Sequence, residues 1–365
     1  MYVNYKHYEV FDFLRGLAIF LVFINHIPHN EYLINDETPY LIKKIFLFGT
    51  YGVQLFYIVS ALTLMLSLTR RGDIDFKKFY LRRFFRIVPL FYVGICIHII
   101  YFNTYSDVYE NIINVKNIFL NIFFINNVIP PSNDLIFGGS TIATEMNFYL
   151  ILPFLYLALN NYKKVLIFTI SYLSFLIIIN FFSSEIFNFK KFGDVNFYRT
   201  IFVQLYVFSL GLLLFHTHKN LILNNFNNAS INYKDIIIKC LPILLLSVLI
   251  FFTSKQNPEY FYFKNMFLVS NFFYLFINCL LIFYHKIKSN LIYIFFTRLG
   301  KISFSMYIIH WITIHFCWII ALKFELFNNF LVFFIIYSFV ITYICSYIFS
   351  KLEYFFIRIG KKLTI

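Results

Sequence analysis

Charge is what this sequence has least of: Asp, Glu, Lys and Arg make up 13% of its 365 residues, about half the share found in soluble domains. So few charges cannot coat a water-soluble fold of this size, and that class is excluded. Cysteine is sparse too. Cys96, Cys240, Cys279, Cys317 and Cys345 all lie in apolar stretches, with no Cys-x-x-Cys and no Cys/His ligand spacing. They read as small buried hydrophobes, and no metal site is expected. The N-terminus lacks the basic region and small-residue exit of a cleavable signal peptide, so the first apolar segment is expected to remain as a spanning helix. No transporter-like repeat and no polar module at either end is evident, so residues 1–365 are expected to form one membrane domain.

What is there is apolar. Hydrophobic residues make up 60% of the chain, 53 of them Phe and 29 Tyr, and the mean hydropathy is +0.73. Ten segments are long enough, or nearly so, to span a bilayer: 11–28, 46–68, 87–103, 141–159, 164–182, 200–216, 236–253, 262–284, 302–321 and 329–350. An eleventh stretch, 118–129, is short and runs into Pro130-Pro131; it reads as re-entrant or interfacial. The expected fold is thus all-α: an integral membrane protein of about ten transmembrane helices plus a short re-entrant segment. With the N-terminus inside, 21 Lys and Arg fall on inner segments and nine on outer ones. That bias predicts both termini in the cytoplasm and accounts for the net charge of +14 without nucleic acid as a partner.

The first segment carries an ionisable stripe. Asp12, Arg15, Ile19, Val22 and His26 share one helix face, and eleven residues place Arg15 and His26 about 16 Å apart along the axis. Such groups in a membrane are costly unless they face a cavity or a partner, so the stripe is a candidate site. Other patterns accompany it in order: Gly52-Val-Gln-Leu-Phe-Tyr-Ile-Val-Ser60; Arg82-Arg83-Phe-Phe-Arg86-Ile-Val-Pro89; Thr144-Glu145-Met-Asn-Phe-Tyr149; and Leu299-Gly300-Lys-Ile-Ser303 with Tyr307 and His310. Together with Arg15-x10-His26, this series resembles the integral-membrane acyltransferase type 3 family from residue 12 to residue 310. Ser140, Ala61 and the weakly matched surroundings of Glu353 depart from the family's pattern. The resemblance implies transfer of an acyl group, most often acetyl, from cytoplasmic acetyl-CoA to extracytoplasmic sugars.

The residues admit specific roles. His26 is expected to take the acceptor hydroxyl's proton or to carry the acyl group itself. Arg15, oriented by Asp12, can bind phosphate or hold an oxyanion. Arg82, Arg83 and Arg86 lie i, i+3 and i, i+4 apart, apt for the phosphates of coenzyme A, and Ser60 is placed with them as donor-binding. Glu145 is expected to pair with His26 at the outer depth, and His310 to line that cavity or bond a backbone carbonyl. Tyr149, Trp311 and Trp318 could stack on sugar rings or belong to an aromatic belt.

The expected activity is O-acetylation of an O-antigen, capsule or exopolysaccharide, or a lipid-linked sugar, with succinyl an alternative acyl group. The expected location is a bacterial plasma membrane, among its lipids. Two other classes compete. A glycan flippase would show flux without acyl transfer, and a polysaccharide polymerase would need a larger outer loop than this chain has.

Overall fold

Each of the ten apolar segments is helical in the computed structural model of the protein, which describes residues 8–27, 38–70, 75–105, 113–128, 133–186, 198–223, 233–253, 261–287, 289–323 and 331–364. The helices are α1 (Glu9–His26), α2 (Tyr40–Gly49), α3 (Gly52–Thr69), α4 (Phe76–Tyr105), α5 (Val115–Ile122), α6 (Gly139–Ala158) and α7 (Tyr162–Ile186). They continue with α8 (Ile201–Leu223), α9 (Tyr233–Thr253), α10 (Phe261–Ile287), α11 (Leu291–Lys301), α12 (Ser303–Lys323) and α13 (Leu331–Lys362). No strand occurs among the described residues.

Eight stretches are long and apolar enough to cross a membrane, with α2 and α3 counted together as Tyr40–Thr69. The other two expected spans, α1 and α9, are not among these eight; α1 carries Glu9, Asp12 and Arg15. The protein is therefore a multi-pass, all-helical membrane protein. Large apolar side chains such as Leu150, Phe154, Ile237, Leu249, Phe333 and Ile348 are exposed on α6, α9 and α13, as lipid-facing surfaces require.

Residues 291–301, between two expected spans, form α11, with Asn290 capping its first turn through a side-chain bond from the Ile292 N–H (2.9 Å). This helix lies hard against α1. A Cβ on Gly16 would stand 1.9 Å from the Phe296 carbonyl oxygen, and one on Gly300 would stand 1.8 Å from that of Asp12. Two glycines therefore permit a backbone-to-backbone crossing, the close approach that replaces hydrophobic drive where the surroundings are lipid.

Most of the stretch 118–129 lies in residues 115–128, which form the eight-residue helix α5 followed by turns. Its Asn117, Asn121, Asn126 and Asn127 are buried and hydrogen-bonded: Asn121 donates to the carbonyls of Asn117 (2.8 Å) and Asn133 (2.9 Å), and Asn126 to Asp134 (2.7 Å). Side-chain amides thus satisfy irregular backbone that sits inside protein. The expected Pro130-Pro131 end lies outside the described residues.

α1 is the hub. It packs on α2, α3, α11 and α12, while α3 packs on α8 and α12 on α13.

Candidate functional site

Two chambers open along α1, each holding one end of its polar stripe. The smaller, about 70 Å3, is lined by Arg15 of α1, Ser60 and Thr63 of α3, Arg83 and Arg86 of α4, and Glu145 and Tyr149 of α6. Arg15 is held in place twice. Its Nη1 lies 3.3 Å from Asp12 Oδ1, one turn earlier, and its Nη2 donates to Thr63 Oγ1 at 3.1 Å. Asp12 is itself buried, so the expected i, i+3 pair is formed inside the protein. The Arg83 guanidinium lies 5.8 Å from the centre of the Tyr149 ring.

Arg86 is close enough to Arg15 to act on it electrostatically, and Glu353 of α13 is within reach of both. Glu353 accepts a hydrogen bond from Ser305 (2.6 Å). Three guanidiniums thus converge on one cavity. Arg82 does not line it.

Glu145 belongs to this chamber. It accepts hydrogen bonds from Ser60 Oγ and from Tyr149 Oη (2.5 Å). The expectation of a Glu145–His26 pair is therefore corrected: the two side chains line different cavities. Glu145 is six residues, about 9 Å, along α6 from Gly139.

The larger chamber, about 340 Å3, holds His26 and Asn25 at the end of α1, Gln54 of α3 and Gln204 of α8. Asn126, Asn127, Asp134 and Phe137 from the α5–α6 connection complete much of its wall. The His26 ring meets Phe137 edge-on (centroids 5.4 Å, 89°) and lies 4.9 Å from His310. His310 Nδ1 is 2.8 Å from the Tyr307 carbonyl oxygen, so that nitrogen carries the proton and donates it. Of the two expectations for His310, the carbonyl bond is the one formed: the ring lies beside His26 but does not line its chamber.

The aromatics are arranged differently from expectation. Tyr149 is buried in the arginine chamber, Trp318 packs edge-on against Phe334, and Trp311 is stacked between Phe137 (4.8 Å, 10°) and His315 (5.1 Å, 8°). None of the three lines the His26 chamber. Phe137 does, backed by Trp311.

Tyr57, Thr141 and Tyr307 line both chambers and form the partition between them. Tyr57 donates to the Thr141 carbonyl (3.3 Å) and Tyr307 to that of Gly138 (3.1 Å). Gly138 has φ +81°, and a Cβ there would lie 2.6 Å from Tyr307 Oη, so the turn that opens α6 accepts only glycine without displacement.

Sequence reasoning gave no role to Tyr57, Tyr307, Thr63, Gln54 or Gln204. The two glutamines offered a signal: an amide within an apolar helix needs a partner or a cavity. Among the described residues, no group of three His, Cys, Asp or Glu side chains is arranged to hold a metal ion.

Neither a curated protein nor a solved structure matches the chain. A comparison with known families does: residues 8–350 match an "Acyltransferase domain", from the first turn of α1 well into α13. That range holds both chambers and their partition, so the site described above is the interior of a membrane acyltransferase, and the chain belongs to the acyltransferase type 3 family.

Proposed function

We propose that the protein transfers an acyl group, most simply acetyl, from cytoplasmic acetyl-CoA to a hydroxyl of an extracytoplasmic glycan in a bacterial plasma membrane. One observation carries this reading: a chamber of converging guanidiniums and a chamber holding a histidine lie at the two ends of one helix, separated by a partition of two tyrosines and a threonine. The positive-inside bias puts the arginines toward the cytoplasm and both termini with them.

In this reading Arg83, Arg86 and Arg15 take the 3′-phosphate and pyrophosphate of the donor, each guanidinium offering paired N–H groups. Arg82 adds positive field at the entrance. Asp12 holds Arg15, and Ser60 and Glu145 line the path of the pantetheine arm. The thioester carbonyl reaches the partition. There the acceptor hydroxyl attacks it, His26 takes the hydroxyl proton, the C–S bond breaks, and coenzyme A leaves as the thiol once its sulfur is protonated. His26 lines the large chamber, which the partition closes on its other side, a placement suited to a general base for the acceptor hydroxyl.

The test is direct. Purified protein in proteoliposomes is given labelled acetyl-CoA and surface glycan. Wild type transfers label; His26→Ala loses transfer while still binding coenzyme A. Undiminished turnover by His26→Ala would overturn the reading. A deletion strain is expected to lose O-acetyl groups from its surface glycan while export and chain length stay normal.

A further inference from the structure

Arg199 takes no part in the transfer proposed above, yet it lines the His26 chamber, and its side chain is 45% exposed. Among the described residues, no Lys and no other Arg lines that chamber. Its acidic neighbour leaves it available. Asp134 Oδ2 stands 3.9 Å from Arg199 Nη1, well beyond the roughly 2.7–2.9 Å of a charge-assisted hydrogen bond, while Asp134 Oδ1 accepts from Asn126 Nδ2 at 2.7 Å. The carboxylate thus tempers the charge of the guanidinium without spending its N–H donors.

Nor is Arg199 a loose surface group. Its backbone carbonyl accepts from Thr144 Oγ1 of α6 (2.5 Å). The adjoining Tyr198 is held by Gln54 of α3 at its hydroxyl (2.5 Å) and by Gln204 of α8 at its carbonyl (2.8 Å). Three helices therefore fix the backbone that presents the guanidinium, the kind of support a binding group needs. Thr50 and Asn133, also exposed, line the chamber with it, whereas Tyr57 and Tyr307 of the partition are buried. Arg199 accordingly belongs to the open side of the chamber. It is still close enough to Tyr307 to act on it electrostatically.

Resting on the acyl-transfer reading, we infer that the acceptor is an acidic sugar, whose phosphate or carboxylate is held by Arg199 while its hydroxyl meets His26. A guanidinium binds either oxyanion through two parallel N–H bonds. The phosphate would come from a sugar joined to a lipid carrier, the carboxylate from a uronic acid ring. At about 340 Å3, small among ligand pockets of about 300–1,000 Å3, the chamber suits one ring and its charged group. Arg199 is thus a specificity-determining residue for the acceptor.

Binding measured without any acyl donor tests this independently of turnover. Saturation-transfer NMR on the full chain in nanodiscs of uncharged lipid headgroups would compare methyl glucuronide with its amide, and glucose 6-phosphate with methyl glucoside. At least one acid should bind about tenfold tighter than its neutral counterpart, a preference that shrinks as salt is raised. Arg199→Gln should bring that acid down to the affinity of the neutral sugar, whose own binding, changed by less than about twofold, shows the variant to be folded. Arg199→Lys, which keeps the charge and loses the fork, should recover part of the preference. Preference for the phosphate alone assigns the oxyanion to a lipid-linked sugar, and preference for the glucuronide alone to an acidic glycan.

No binding by either acid, equal binding of both acids and their neutral counterparts, or an acid preference that survives Arg199→Gln would overturn the inference. If the variant fails to fold, the comparison is made on wild type with coenzyme A in excess. The preference then persists if it arises at Arg199 and disappears if it arises in the arginine chamber, which coenzyme A occupies. Absence of labelled transfer from acetyl-CoA, with the acid preference intact, would instead count against the acyl-transfer reading alone.

Discussion

The arginine chamber and the His26 chamber share walls from α1, α3, α6 and α12, yet they are built from opposite chemistries. One concentrates three guanidiniums, a carboxylate and hydroxyls in about 70 Å3; the other spreads amides, hydroxyls, a histidine and one Asp134–Arg199 pair around about 340 Å3. The first has the fixed, charge-assisted pairs suited to phosphates. The second has weaker and more numerous neutral groups, suited to hydroxyls. What separates them is thin: two phenol rings and a threonine, with the phenols bonded to backbone carbonyls at 3.1 and 3.3 Å.

The contrast between the chambers can be broken by measurement. Removing the imidazole of His26 should lower kcat by about 10² to 10⁴, the usual contribution of a general base, with coenzyme A affinity unchanged in a binding titration. Equal loss of both would merge the chambers functionally. On the other side, Arg83→Ala or Arg86→Ala should raise the KM for acetyl-CoA by about tenfold to a hundredfold and leave kcat much less altered. Arg82→Ala, at the flank, should shift it less than about twofold; a loss as large as that of Arg83→Ala would show that the flank belongs to the binding surface.

Smaller effects probe what holds the chambers in register. Gly16→Ala should lower stability by about 1–3 kcal/mol, read as a fall in Tm in detergent, because its methyl meets the Phe296 carbonyl. An unchanged Tm would mean that α1 and α11 can part without loss. The mildest change is Tyr307→Phe, which removes only the bond to Gly138, worth about 0.5–1.5 kcal/mol. It should leave coenzyme A binding intact, and a change in that binding would show that the partition shapes the donor side.

Much of this was legible in the chain. Periodicity alone puts Asp12, Arg15 and His26 on one face of α1, and the Asp12–Arg15 pair is formed, because these are relations within a single helix. Arg83 and Arg86 likewise follow from spacing. What sequence could not give is depth and partner. Glu145 looked like a neighbour of His26 because both lie near ends of helices expected to meet the same side. Its partner Ser60 meets it only when α3 and α6 pack, while Tyr149 lies one turn on along α6. α11 was hidden for a different reason: at eleven residues it is too short to read as a span, and the signal for its packing was a single glycine, Gly300.

The glycine crossing of α1 and α11 has a mechanical corollary. A helix whose backbone touches another at Gly16 and again beside Asp12 has no slack with which to turn or slide. Arg15 and His26 are therefore two marks on one stiff bar, clamped near the arginine end. Any strain introduced at the clamp is transmitted to the far mark with a lever arm of about 16 Å, so a methyl group at Gly16 should disturb the histidine chemistry three turns away, although it touches neither the imidazole nor anything in its chamber.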